Sequence, residues 1–148
     1  MVLTQKATMM DLLDRLKTTY PGAQAWAFGD SPEMADDLAR LVIEGVKTAS
    51  CGSLAAFNTE EYAPTPGSYH IILNGQGTPV CVIRMVSLRL MRFSEMTEDF
   101  ARKEGEGDLS LAYWRKEHQA FFTREGSFAD DMELVGEEFV VVEVLEGE

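Results

Sequence analysis

The spacing of apolar residues changes several times along the chain, and each change marks an element. Over residues 5–20, Met9, Leu12, Leu13, Leu16 and Tyr20 recur at helical spacing until Pro21-Gly22 breaks the pattern. The short aromatic run Trp26-Ala-Phe-Gly-Asp30 predicts an extended segment ending in a turn. Ser31-Pro32 predicts a helix start, with Ser31 as cap and proline at the first helical position. Ala35, Leu38, Ala39 and Val42 form that helix's apolar stripe, and Gly45 ends it. Lys47–Ser53 is small and hydroxylated around one lysine, which suits a strand at an edge or a site better than one in a core. Residues 54–67 predict a loop closed by Pro64-Thr-Pro-Gly67.

From Ser68 the period becomes two: Tyr69, Ile71 and Leu73 alternate with His70 and Ile72, and Asn74-Gly75 signals a hairpin. Pro79 to about Arg92 predicts a long return strand with room for a bend. Ser94–Lys103 predicts a short helix, and Asp108 is placed to cap a second one reaching Arg124. On that second helix Leu111, Trp114, His118, Phe121 and Phe122 face inward, and Gly126 stops it. Met132–Leu145, rich in Val and Phe, predicts one or two closing strands. The order of helices, strands, a helix and a strand is α+β, with a small curled sheet or barrel and helices packed outside. No repeat or internal linker divides residues 1–148, so one domain is predicted.

Composition narrows the function classes. The formal net charge of −12 argues against broad nucleic-acid binding, which needs clustered Lys and Arg. Its distribution is uneven: residues 125–148 hold nine acids and no base, while seven of thirteen basic residues lie between Arg84 and Lys116. That allows a compact positive groove and excludes a long basic track. No apolar run approaches the length of a membrane span. The N-terminal residues do not read as a signal peptide, and Cys51 and Cys81 have no C-x-x-C spacing, so a reduced, cytoplasmic protein is expected. These features set no oligomeric state.

The candidate chemistry centres on Glu104-Gly-Glu-Gly-Asp108, three carboxylates and two glycines ahead of an amphipathic helix. Glycine there permits positive φ or close approach to a ligand. Such a turn either caps the next helix or holds something polar, and Gly45–Ser53 is its expected partner. The three acids would accept Mg²⁺ or Mn²⁺, although the spacing matches no calcium loop and no metal is required. His70 and His118 have no ligand-spaced partner in sequence and read as structural. Cys51 has no neighbour in sequence to lower its pKa. Trp26 and Phe28 are candidates to stack on a base, with core packing as the alternative.

Several pieces together resemble the ASCH family, which shares a barrel with the PUA RNA-binding domains. They are Trp26-Ala-Phe-Gly-Asp30, Gly45-Val-Lys-Thr-Ala49, Pro66-Gly-Ser-Tyr69, Pro79-Val-Cys-Val-Ile83, Phe100-Ala-Arg-Lys-Glu-Gly-Glu-Gly-Asp108 and Trp114-Arg-Lys-Glu-His-Gln-Ala-Phe-Phe122. The resemblance implies a PUA-like β-barrel whose cleft is lined by Gly45–Ser50 and the Glu-Gly-Glu-Gly-Asp turn. It also implies RNA binding, cleavage of single-stranded RNA or, in shorter relatives, removal of the acyl group from N4-acetylcytidine. Amidohydrolase-type relatives use a Lys, a Thr three residues later and a Glu, which correspond here to Lys47, Ser50 and Glu104. Ser50 keeps the hydroxyl and drops the methyl.

On that correspondence Ser50 would be the nucleophile. Lys47 would be its base if burial lowers the lysine pKa, or would stay charged and stabilise an oxyanion. Glu104 would orient Lys47 or shuttle a proton. The bland alternative is a structural Lys47–Glu104 ion pair. For RNA cleavage, Lys47 and Arg115 would hold a phosphate, and Glu104 or Glu106 would activate a ribose hydroxyl. Trp26, Phe28, Thr48, Glu106, Asp108 and Arg115 complete the candidate substrate-binding set. Cleavage of single-stranded RNA is the first expectation. Hydrolysis of a modified nucleoside and a binding module without catalysis follow.

Overall fold

The structure, a computed structural model, describes residues 12–145. Helix α1 is described over residues 12–19; the earlier part of the predicted 5–20 helix, Met9 included, lies outside the described residues. The remaining elements are β1 (Gln24–Trp26), α2 (Pro32–Ile43), β2 (Ala49–Ser53), α3 (Leu54–Thr59), β3 (Tyr69–Leu73), β4 (Pro79–Arg92), α4 (Glu98–Glu104), α5 (Leu111–Glu125) and β5 (Glu133–Val144). A 3-10 turn at Phe93–Glu95 joins β4 to α4. No described helix is long and apolar enough to cross a membrane.

The five strands form one mixed sheet in the order β1-β3-β4-β5-β2, curled into a half-barrel. β1 runs parallel to β3, and the other neighbours are antiparallel. β4 is the long strand expected from Pro79 to Arg92, and its register with β5 shifts at Val82/Ile83 and Met85/Ser87. Such bulges bend a strand and sharpen its twist, which lets one hydrogen-bonded strand serve both ends of the curl. β5 is one continuous strand.

Helices cover both faces of the sheet's middle. Ile71 and Val82 pack with Leu16 of α1, whereas Ile72, Cys81, Ile83 and Met85 pack with Ala39 and Val42 of α2. β3 is therefore covered on both faces, which is why its alternation is shallow in sequence. α2 starts as predicted: Ser31 Oγ accepts the Met34 amide at 3.1 Å, with Pro32 in the first turn. A separate core joins α4 and α5 to the sheet through Ala49, Phe93, Phe100, Trp114, Phe122 and Leu134.

The structure corrects several local expectations. Leu54–Thr59, expected as loop, is a helix capped by Ser53 Oγ, which accepts the Ala56 amide at 3.1 Å. It buries none of its residues, so no apolar stripe betrayed it. The extended run from Trp26 ends there, because Gly29 takes φ +81° and turns the chain into α2. The hairpin at Asn74-Gly75 has five linking residues, not two. Asn74 Oδ1 accepts the amides of Gln76 and Thr78, and Gly77 supplies the positive φ. Asp108 is not the cap of α5. Ser110 is, accepting the Tyr113 amide at 3.0 Å, while Asp108 Oδ1 takes the Ser110 amide at 3.0 Å one step earlier.

Candidate active site

The half-barrel does not close, and the gap between its edge strands, β1 and β2, is where the candidate residues collect. Two chambers line this seam. A small one of about 90 Å³ is walled by Phe28, Lys47, Glu104, Glu106, His118 and Phe121, among others. A larger one of about 500 Å³ is walled by Trp26, Gly52, Glu60, Tyr62, His70 and Glu137, among others. Ser50 and Cys51 wall both, so the middle of β2 is their common boundary.

The small chamber owes its geometry to one glycine. Gly105 ends α4 with φ +77°, and a β-carbon there would stand 2.6 Å from the Val46 carbonyl oxygen. Only a residue without a side chain lets the α4 end press against Val46–Lys47. The Thr48 amide then donates to the Lys103 carbonyl at 2.8 Å, fixing the start of β2. The Lys47 side chain is drawn back under the turn. Its ammonium donates to the Glu104 carbonyl at 3.2 Å, Glu104 Oε1 at 3.4 Å and Glu106 Oε2 at 3.0 Å.

Lys47 is 2% exposed and Glu104 1%, so this ion pair is desolvated. An uncompensated charge there would cost several kcal/mol, which explains how fully the pair is wrapped. Glu104 Oε2 accepts the Trp114 indole N–H at 2.7 Å, and His118 Nε2 lies 3.5 Å from Oε1. His118 stacks on Trp114 at 4.2 Å, and its Nδ1 meets the Trp114 carbonyl at 2.9 Å. An Nδ1–H donated to that carbonyl aims Nε2 at the carboxylate.

These contacts set the protonation states. Burial opposes the charged form of Lys47, but Glu104 and Glu106 outweigh it and hold the lysine above its ordinary pKa. Burial likewise opposes ionised Glu104, yet Lys47, His118 and Trp114 bring it down to about 2. His118 loses by burial and gains more from Glu104, so its pKa is raised. Burial, then Glu104, pushes the Cys51 thiol well above its usual value. Cys51, Glu104 and His118 bring donor atoms within 4.8 Å of one another, a set able to hold a soft divalent ion. Lys47 already supplies positive charge beside that carboxylate.

The large chamber is organised differently. Trp26 donates its indole N–H to His70 Nδ1 at 3.0 Å, and His70 Nε2 lies 2.8 Å from Ser68 Oγ. This fixes the tautomer, with Nε2–H donating to Ser68, and burial keeps the ring neutral by lowering its pKa. Ser50 pairs in register with Glu137 across β2 and β5, so the two side chains share a face of the sheet. Burial first, then the charges of Glu60 and Glu104, raises the Glu137 carboxyl to about 7, against a smaller opposite effect of Lys47.

The structure thus brings Lys47, Ser50, Glu104 and Glu106 together, with Phe28 beneath the ammonium at 5.6 Å and Trp26 on the far side. Thr48, Asp108 and Arg115 are exposed and wall neither chamber. Sequence reasoning missed His118 and Glu137. His118 was correctly turned inward, but its carboxylate partner sits on another helix. Glu137 had a usable signal: adjacent acids inside a strand, Glu137-Glu138, must point to opposite faces, so one has to look inward.

A curled, mixed sheet with a buried lysine between two glutamates at its open seam defines a class of small PUA-like domain. The ASCH domain family matches residues 24–143, and the chain belongs to it. It is similar to the crystal structure of an ASCH domain from Lactobacillus crispatus, with 36% identity and TM-score 0.79, covering 87% of this chain and 85% of that one. A protein from Enterococcus faecalis aligns with TM-score 0.78 and 36% identity, covering 97% of this chain and 91% of its own. No curated protein matches the chain.

Proposed function

We propose that the protein is a hydrolase that cleaves the amide of an uncharged, nucleoside-sized ligand, the N4-acylated cytidine class, with Ser50 as nucleophile. The carrying observation is the position of Ser50 at the boundary of the two chambers, sharing the wall of the small one with a cationic Lys47. Attack on an acyl carbonyl places negative charge on its oxygen. A preorganised ammonium in a water-poor pocket stabilises that charge far better than water does. The large chamber is of the size that takes a nucleoside, with Trp26 on its wall for the base.

The charge of the seam favours this reading over cleavage of single-stranded RNA. Glu60, Glu61, Glu104, Glu106, Glu117 and Glu137 line the two chambers, against Lys47 and Arg124 as cations. A phosphodiester, charged before any reaction begins, would enter this acidic field unfavourably. A neutral amide meets no such penalty.

The test compares wild type with Ser50→Ala on N4-acetylcytidine and on single-stranded RNA. Wild type is expected to release acetate, and the variant to lose turnover by about a hundredfold or more while keeping its melting temperature. Cleavage of the RNA chain with no acetate release would replace this reading by the ribonuclease one. Ligand binding without any turnover would make the protein a recognition module.

A further inference from the structure

The residues aligned with the amidohydrolase site do not include a base suited to neutral pH. Lys47 stays protonated between Glu104 and Glu106, and Glu104, ionised down to about pH 2, is spent on Lys47, Trp114 and His118. His118 faces Glu104 through its only outward nitrogen. His70 is closed on both sides, accepting from Trp26 and donating to Ser68. None of these groups is free to take the Ser50 proton.

Resting on the proposed hydrolase reading, we infer that Glu137 is the proton-transfer group of the site, serving Ser50 from the adjacent strand. Ser50 and Glu137 are direct cross-strand partners, so their β-carbons lie about 4.5–5.5 Å apart on one face, within reach of a hydrogen bond between Oγ and the carboxylate. Both line the large chamber, where the scissile amide would enter. Among the described residues Glu137 has no side-chain hydrogen-bond or ion-pair partner, which leaves its oxygens free for the reaction. β4 sets Leu88 opposite it, an apolar neighbour. The titratable groups around it are Glu60, Glu61 and Tyr62 after α3, Lys47 before β2, Cys51 on β2, Glu104 at the end of α4 and His70 on β3. Burial and the neighbouring glutamates bring its carboxyl to about 7, where a carboxylate is both present and basic enough to act.

The steps balance. As the Ser50 Oγ–carbonyl bond forms, the hydroxyl proton passes to the Glu137 carboxylate. As the C–N bond breaks, that proton goes to the departing exocyclic nitrogen, leaving an acyl-serine. Water then attacks the acyl carbon and gives a proton to Glu137, which returns it to Ser50 Oγ as the carboxylic acid leaves.

Phosphorylation of Ser50 by diisopropyl fluorophosphate, with loss of fluoride, followed by mass spectrometry across pH 5–9, tests Glu137 without any assumption about substrate. Wild type is expected to label at a rate that rises through about pH 7. Glu137→Gln is expected to label about 10²–10⁴-fold more slowly, with that rise gone, and Glu137→Asp to recover part of the rate. Equal labelling in wild type and Glu137→Gln, an unmoved midpoint, or no labelling of Ser50 in wild type would overturn the inference. Labelling as expected with no acetate release from N4-acetylcytidine would keep Glu137 as the base and reject the substrate. The melting temperatures of both variants separate a lost base from a lost fold.

Discussion

The two chambers on either side of Ser50 hold similar side chains in opposite conditions. In the small one, Glu104 is surrounded by donors: an ammonium, an indole N–H and an imidazole. In the large one, Glu137 is surrounded by burial and other carboxylates. One carboxyl is pulled down to about 2 and the other pushed up to about 7. Two identical groups on one small domain thus acquire different jobs. A saturated carboxylate holds other charges in place; an unsatisfied one near neutral pH moves protons.

The most damaging way to disturb this contrast is to take the cation out of the small chamber. Lys47→Ala leaves Glu104 buried and ionised with its main partner gone, a loss of about 3–5 kcal/mol. Thermal unfolding is expected to fall by about 10 °C for a chain of this length. Turnover is expected to vanish in the residual folded protein. An unchanged melting temperature would mean that the ion pair contributes little and that the chamber relaxes around its loss.

Acid tests Glu104 itself. Its folded pKa of about 2 lies below the ordinary 4.5, so the stabilisation it brings is fully present above 4.5 and is lost as pH falls toward 2. Linkage makes this about 3 kcal/mol, readable as a falling urea midpoint between those values. In Glu104→Gln that part of the acid dependence is expected to disappear.

Glu137 carries the opposite sign and a smaller effect. Its folded pKa of about 7 lies above the ordinary 4.5, so its contribution is favourable below 4.5 and is lost as pH rises through 7. Above that, the ionised carboxylate weakens the fold by about 1–3 kcal/mol. Glu137→Gln is therefore expected to melt higher than wild type at pH 8.5 and close to it at pH 4.5, while losing activity. A variant that melts lower at pH 8.5 would show that Glu137 is a structural anion and would collapse the contrast between the chambers.

Much of this was legible along the chain because it is local. Ser31-Pro32 starting α2, Gly126 ending α5 and the unbroken strand from Pro79 to Arg92 each depend on residues close in sequence. The Glu104-Gly105-Glu106 turn also stood out, since two acids around a glycine are costly to keep without a partner. Errors arose where a residue's partner was remote or where no burial was involved. α3 buries nothing, so its cap was the only mark of it, and Asp108 lost the capping position to Ser110 two residues on.

By itself, the sequence determined the element order, the family and the segment pairing of Lys47 with the glutamate turn, because spacing, caps and hydrophobic period act over a few residues. Only the tertiary structure decided which groups titrate where. Cys51, Glu104 and His118 come from a strand and two helices, and Ser50 meets Glu137, eighty-seven residues away in sequence, across a strand pair. A pKa is set by the dielectric and charges within several ångströms, and those neighbours exist only once the sheet has curled and left its seam open.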